Sequence, residues 1–112
     1  MSSEHTLSTH ILDVTLGRPA AGVEINLCET DAKRGEGWFG FITDADGRFR
    51  MADKLSPGDY RLTFLVGPYF AALDQPTLYP EVSISFTIAE DQAHYHIPLL
   101  LSPYGYTTYR GS

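Results

Sequence analysis

Apolar and polar residues alternate with a period of two along most of this chain, the pattern of strands with one face turned inward. Val82-Ser83-Ile84-Ser85-Phe86-Thr87-Ile88 keeps the alternation over its whole length. Tyr60, Leu62, Phe64 and Val66 repeat it, with Arg61, Thr63 and Leu65 on the opposite face, and Val23, Ile25 and Leu27 repeat it again. Turn chemistry separates the runs at Gly17-Arg18-Pro19, Asp46-Gly47, Ser56-Pro57-Gly58-Asp59 and Ser102-Pro103-Tyr104-Gly105. Strands are expected over Leu7–Val14, Val23–Cys28, Trp38–Thr43, Arg48–Met51, Asp59–Val66, Val82–Ile88, His94–Leu101 and Tyr106–Arg110. Pro68–Leu73 is the one short helix expected. No repeat, low-complexity tract or linker interrupts residues 1–112. The spacing predicts a single all-β domain, an antiparallel sandwich or barrel.

One strand departs from the inside-outside rule. Tyr95, Ile97, Leu99 and Leu101 form its core face, while His94, His96, Pro98 and Leu100 make an outer face too apolar for free solvent. Another chain or a ligand is expected to cover it. Pro98 cannot donate to a ladder and marks a weakly paired position. The first strand behaves alike, with Leu7, Thr9 and Ile11 on one side and Ser8, His10 and Leu12 on the other. Two strands thus each place a His beside a Leu away from the internal core.

Composition narrows the classes. Six Phe, seven Tyr and one Trp supply large packing surfaces, as a globular core of this size requires. A net charge of −6 offers no positive footprint for nucleic acid. No apolar run approaches the roughly 20 residues of a membrane span. The polar stretch Met1–His10 does not read as a secretory signal, so an intracellular, cytoplasmic protein is expected. Cys28 is the single cysteine and alternates with apolar neighbours, which predicts a buried, inert thiol.

The candidates for proton chemistry are His5, His10, His94 and His96. His5 falls in the polar leader and is expected in solvent, and His94 at a strand edge is expected at the surface. His10 and His96 on spacing alone are as consistent with ordinary structural residues as with a site. Asp44-Ala45-Asp46-Gly47 has the start of a calcium loop but lacks the later Glu, so a hairpin turn is expected. Tyr106-Thr107-Thr108-Tyr109-Arg110-Gly111-Ser112 runs as a strand to the last residue, which suggests an end held in place rather than frayed.

Three segments together resemble the transthyretin-related proteins that act as 5-hydroxyisourate hydrolases. They are Leu7-Ser8-Thr9-His10-Ile11-Leu12-Asp13 with the following Gly17-Arg18-Pro19-Ala20, then Thr43-Asp44-Ala45-Asp46-Gly47-Arg48, and His94-Tyr95-His96-Ile97-Pro98-Leu99-Leu100-Leu101-Ser102-Pro103-Tyr104-Gly105-Tyr106. The closing Tyr109-Arg110-Gly111-Ser112 matches the tetrapeptide of the hydrolase branch. The resemblance spans almost the whole chain. It implies a transthyretin-like (prealbumin-like) eight-stranded antiparallel β-sandwich with one short helix, assembled as a homotetramer, a dimer of dimers, around a channel. That channel would be lined here by His10, Leu12, His96, Pro98, Leu100, Thr107 and Tyr109.

Carried over by matching position, the resemblance implies His10, Arg48 and His96 as catalytic residues. Tyr109, Arg110, Gly111 and Ser112 would form the substrate pocket. Arg50 shares a strand face with Arg48 and is the alternative arginine. The implied substrate is 5-hydroxyisourate, opened by hydrolysis of a ring amide to 2-oxo-4-hydroxy-4-carboxy-5-ureidoimidazoline. One imidazole would deprotonate water and Arg48 would stabilise the developing negative charge. No metal or other cofactor is expected. Two readings from other classes stay open: a non-catalytic transthyretin-like protein binding a small ligand, and a monomeric β-sandwich interaction module.

Overall fold

The computed structural model describes residues 5–31 and 38–111. Nine strands and one helix follow one another: β1 (Thr6–Asp13), β2 (Arg18–Pro19), β3 (Glu24–Glu29), β4 (Phe39–Ile42), β5 (Arg48–Arg50), β6 (Gly58–Leu65), α1 (Val66–Ala72), β7 (Val82–Ile88), β8 (His94–Ser102) and β9 (Gly105–Thr108). The eight expected strands are all present within a residue or two, and a ninth, β2, is added. Its two residues are too few to show a period, and they pair with Leu12 and Asp13.

The strands form two sheets. One has the order β2-β1-β8-β9, with β5 also pairing β1, and the other the order β4-β3-β6-β7. One edge of β1 is therefore shared between β2 and β5, and its other edge carries β8. The expectation of an antiparallel sandwich needs one amendment, because β1 and β8 run parallel over Thr6–Asp13. Alternation reports which face is buried and carries no information about the direction of a neighbour.

The core lies between the sheets. Leu7 and Ile11 of β1, Leu99 and Leu101 of β8, Ile25 and Leu27 of β3, and Leu62 and Phe64 of β6 are all 1 % exposed or less. These are the apolar partners in the period-two pattern, and their burial makes the register of each strand costly to slip. Cys28 is buried and free, as its neighbours predicted.

Helix α1 starts two residues before the expected Pro68 and buries Val66 and Phe70. Pro68 then falls in the first turn, where backbone N–H groups have no intrahelical acceptor and its missing donor costs nothing. Gly67 permits that start: its N–H donates to the Pro80 carbonyl at 3.0 Å. A Cβ there would lie 2.8 Å from the same oxygen.

Candidate active site

The outer face of the first sheet carries the unusual residues, and strand register lays them out in rows. His10 lies opposite Arg48 on β5 and opposite Pro98 on β8. Ser8, one row along, lies opposite Arg50 and His96, and Thr6 lies opposite His94. Continuing the β8–β9 register from Leu99↔Thr108 sets Tyr109 beside Pro98, and Gly111 bridges to His96. Directly opposed residues on adjacent strands have Cβ atoms about 4.5–5.5 Å apart, so Arg48 and His10 are immediate neighbours.

Arg48 is delivered by its turn. Asp44 Oδ1 accepts from the backbone N–H of Asp46 at 2.9 Å and of Arg48 at 3.0 Å. This closes a side-chain-capped turn, the hairpin chemistry expected of Asp44–Gly47. Gly47 has φ +69°, and a Cβ on it would meet the Ile11 carbonyl oxygen at 2.5 Å. That carbonyl belongs to the strand carrying His10, so the missing side chain lets the turn settle against β1 in the Arg48↔His10 register.

The C-terminal segment closes the other side. Gly111 donates its N–H to the His96 carbonyl at 2.8 Å. A Cβ at position 111 would stand 2.5 Å from His96 Cδ2 and 3.2 Å from Pro98 Cγ. The chain therefore passes flush against the imidazole, and glycine is the residue that fits. A groove of about 190 Å³ runs along the Tyr95 side of this segment, lined in part by Phe86, Tyr95, Ile97 and Arg110.

Arg110 faces elsewhere. Its guanidinium donates to Asp91 Oδ2 at 2.9 Å and lies over the Tyr95 ring at 5.0 Å. Tyr95 belongs to the core face of β8, so Arg110 is on the opposite side of the sheet from Tyr109 and His96. In this structure it anchors the terminal segment, whereas the substrate pocket was its expected place. Alternation along the strand explains the difference, since 109 and 111 share one face and 110 takes the other. Ser112 lies outside the described residues.

Two histidines depart from expectation. His5 is buried at 4 % exposure, with Nδ1 donating to the Gln92 carbonyl at 2.7 Å and Nε2 3.4 Å from Glu90. Its backbone bridge to Leu55 draws it out of solvent. His94 is half-buried with both ring nitrogens bonded, Nδ1 to Thr6 Oγ1 at 2.5 Å and Nε2 to Ser8 Oγ at 2.9 Å. Ser8 Oγ also reaches His96 Nδ1 at 2.8 Å. Thr6 and Ser8 carry no signal in the sequence beyond being small and polar on an outward face. Only the parallel pairing of β1 with β8 brings them to the imidazoles.

Charge follows this geometry. Burial is the main cause that holds His96 below the ordinary imidazole value of 6.5, with His94, Arg48 and His10 adding to it. His94 is lowered by burial and then by Arg50. Both shifts favour the neutral ring. The face holds a neutral imidazole, a permanent guanidinium and a second imidazole in adjacent rows, a set able to move a proton and to stabilise an oxyanion. Among the described residues, no group of three or more His, Cys, Asp or Glu is placed to hold a metal ion.

Known proteins share this architecture and much of this sequence. A 5-hydroxyisourate hydrolase of Salmonella dublin is 44 % identical over 117 aligned positions, which cover 99 % of this chain and 84 % of that one. The solved 5-hydroxyisourate hydrolase of Klebsiella pneumoniae superposes with a TM-score of 0.84 at 39 % identity, covering 96 % of this chain and 94 % of that one. Sea bream transthyretin, solved with thyroxine, superposes with a TM-score of 0.77 at 26 % identity over 94 % of this chain and 93 % of its own. Residues 7–111 match the HIUase/Transthyretin family. A two-sheet sandwich with a histidine-bearing outer face and this extent of likeness place the chain in the HIUase/transthyretin family.

Proposed function

We propose that the face formed by His10, Arg48 and His96 is where this chain hydrolyses 5-hydroxyisourate. The hydrolase names of relatives at 44 % identity over nearly the full chain support the reaction. The observation that carries the site is the register: Arg48 is set opposite His10, and His96 stands one row away within electrostatic reach of both. A neutral imidazole takes a proton from water as the water oxygen attacks the ring carbonyl. Arg48 donates hydrogen bonds to the carbonyl oxygen as it becomes an oxyanion. When the C–N bond breaks, the proton held by the imidazole goes to the leaving nitrogen, and the ring opens with net addition of one water. Burial, and with it the guanidinium, disfavours protonation of His96, which favours that ring as a base at neutral pH.

The site is completed by assembly. Leu12 and Leu100 are half-buried on the same outer face, and Tyr109 is 54 % exposed. An apolar, aromatic face of this kind is suited to burial against further copies of the chain. We assign it to the channel of a homotetramer, a dimer of dimers, with Tyr109 and the imidazoles narrowing each mouth to the size of a bicyclic purine derivative.

The test is kinetic. Freshly generated 5-hydroxyisourate is followed by absorbance against a blank, since it also decays unaided. His96→Asn and His10→Asn are expected to lose activity, by about 10²–10⁴-fold for the one that is the base, and Arg48→Ala about 10²–10³-fold. Rates like those of the unaltered protein in all three would end the assignment. Saturable binding of a small aromatic ligand without turnover by the unaltered protein would favour the carrier reading instead.

A further inference from the structure

We propose that Thr6, Ser8 and His94 form a hydrogen-bonded relay whose work is to hold His96 as the Nδ1–H tautomer, leaving its Nε2 lone pair free to act as the base. This rests on the site assignment above and adds three positioning residues to it, none of which touches the reacting atoms. The relay is continuous: Thr6 Oγ1 to His94 Nδ1 at 2.5 Å, His94 Nε2 to Ser8 Oγ at 2.9 Å, and Ser8 Oγ to His96 Nδ1 at 2.8 Å.

Donor accounting gives the chain its direction. A neutral imidazole has one N–H and one acceptor nitrogen, and a serine hydroxyl has a single proton to donate. Ser8 sits between two ring nitrogens, so it donates to one and accepts from the other. If it donates to His94 Nε2, the His94 proton is on Nδ1 and goes to Thr6, while Ser8 Oγ accepts from His96 Nδ1–H. His96 Nε2 then has no proton, and no described residue bonds to it. Reversing every bond puts the proton on His96 Nε2 and removes the base.

Protonation of His94 would exclude the active direction. His94 in its cationic form would donate from Nε2 to Ser8, turn the hydroxyl proton toward His96 Nδ1 and force the inactive tautomer. The relay therefore needs a neutral His94, and its surroundings supply the condition. His94 faces Thr6 and Ser8 from β1 and Arg50 from β5. His96 faces Ser8 and His10 from β1, Arg48 from β5, and Gly111 on the terminal side. Neither ring is hydrogen-bonded to a carboxylate among the described residues, and each lies near a guanidinium that disfavours the cation. Arg50, the alternative arginine on sequence grounds, finds a role here as the charge that keeps His94 neutral.

Nitrogen-15 NMR of the full-length protein near pH 7.5 reads the tautomer without reference to activity. His96 is expected as Nδ1–H, and an Nε2–H tautomer would overturn the relay. In kinetics, Ser8→Ala is expected to lower kcat about 10–100-fold with KM changed little, by analogy with the loss of outer hydrogen-bond partners of metal-bound histidines. Ser8→Thr keeps the hydroxyl and should recover most of that loss. His94→Gln can accept the Ser8 hydrogen bond but cannot titrate. The acid limb of kcat/KM should then fall from a limiting dependence on two protons to one, whereas His94→Phe should lose kcat as Ser8→Ala does. An unchanged kcat in Ser8→Ala with His96→Asn inactive overturns the relay and leaves the site standing. Full activity in His96→Asn alone overturns His96 as the base and the relay with it, whereas full activity in His96→Asn, His10→Asn and Arg48→Ala alike overturns the site assignment itself.

Discussion

His94 and His96 are each held below the imidazole's ordinary value by burial and neighbouring cations, and that has a cost in acid. The unfolded chain takes up their protons near 6.5, before the folded one does, so ∂ΔG/∂pH is positive in that range. Stability is expected to be full above about pH 6.5 and to fall as the pH drops below it. Urea midpoints measured from pH 8 to pH 5 would check this, and the decline should be smaller in His94→Gln. Gly111 is the other residue whose identity is set by a single contact. Its place against His96 leaves 2.5 Å to a Cβ. Gly111→Ala is expected to reduce kcat/KM at least tenfold by displacing the imidazole or the terminal segment, a scale known for ångström-size misplacements. Its melting temperature should hardly move, because the perturbed segment follows the last strand. Wild-type kinetics in this variant would show that the segment does not position His96.

At the scale of elements, the turn from Asp44 to Arg48 was legible because Asp-Gly chemistry is local: a side-chain cap and a positive φ need no distant partner. Gly47→Ala forces a left-handed backbone on alanine and drives a Cβ into the Ile11 carbonyl. A loss of about 1–3 kcal/mol is expected, seen as a drop of several degrees in melting temperature with reduced activity, since the same turn sets Arg48. An unchanged melting curve would mean that the turn relaxes freely. Strand β2 and the start of α1 were not legible. Two residues carry no periodicity, and the helix start depends on Gly67 reaching Pro80, which lies well outside any local window. The terminal segment was half legible. Its aromatic, cationic ending suggested an end held in place, but that Arg110 supplies the hold through Asp91 follows only from the fold.

For the whole molecule, the decisive question is how the outer face of β1, β5 and β8 is covered. If the tetramer is correct, sedimentation should give about four times the 12.4 kDa chain mass at micromolar concentration. Leu100→Glu places a charge on that face and should shift the protein to smaller species with lower activity, because burying an unpaired charge costs several kcal/mol. A wild-type monomer with full turnover would sink the assembled-channel reading.

Alternation, turn residues and apolar content determined the main strands, the buried faces and the exceptional face bearing His10 and His96, because each depends on neighbours two or three positions apart. The resemblance carried in those same segments pointed to the substrate. The tertiary structure decided what lies across the strands: the parallel pairing that brings Thr6 and Ser8 to the histidines, the inward position of His5, and the turning of Arg110 onto Asp91. Those contacts join residues some twenty to ninety positions apart, a distance at which only the packing of whole strands fixes who meets whom.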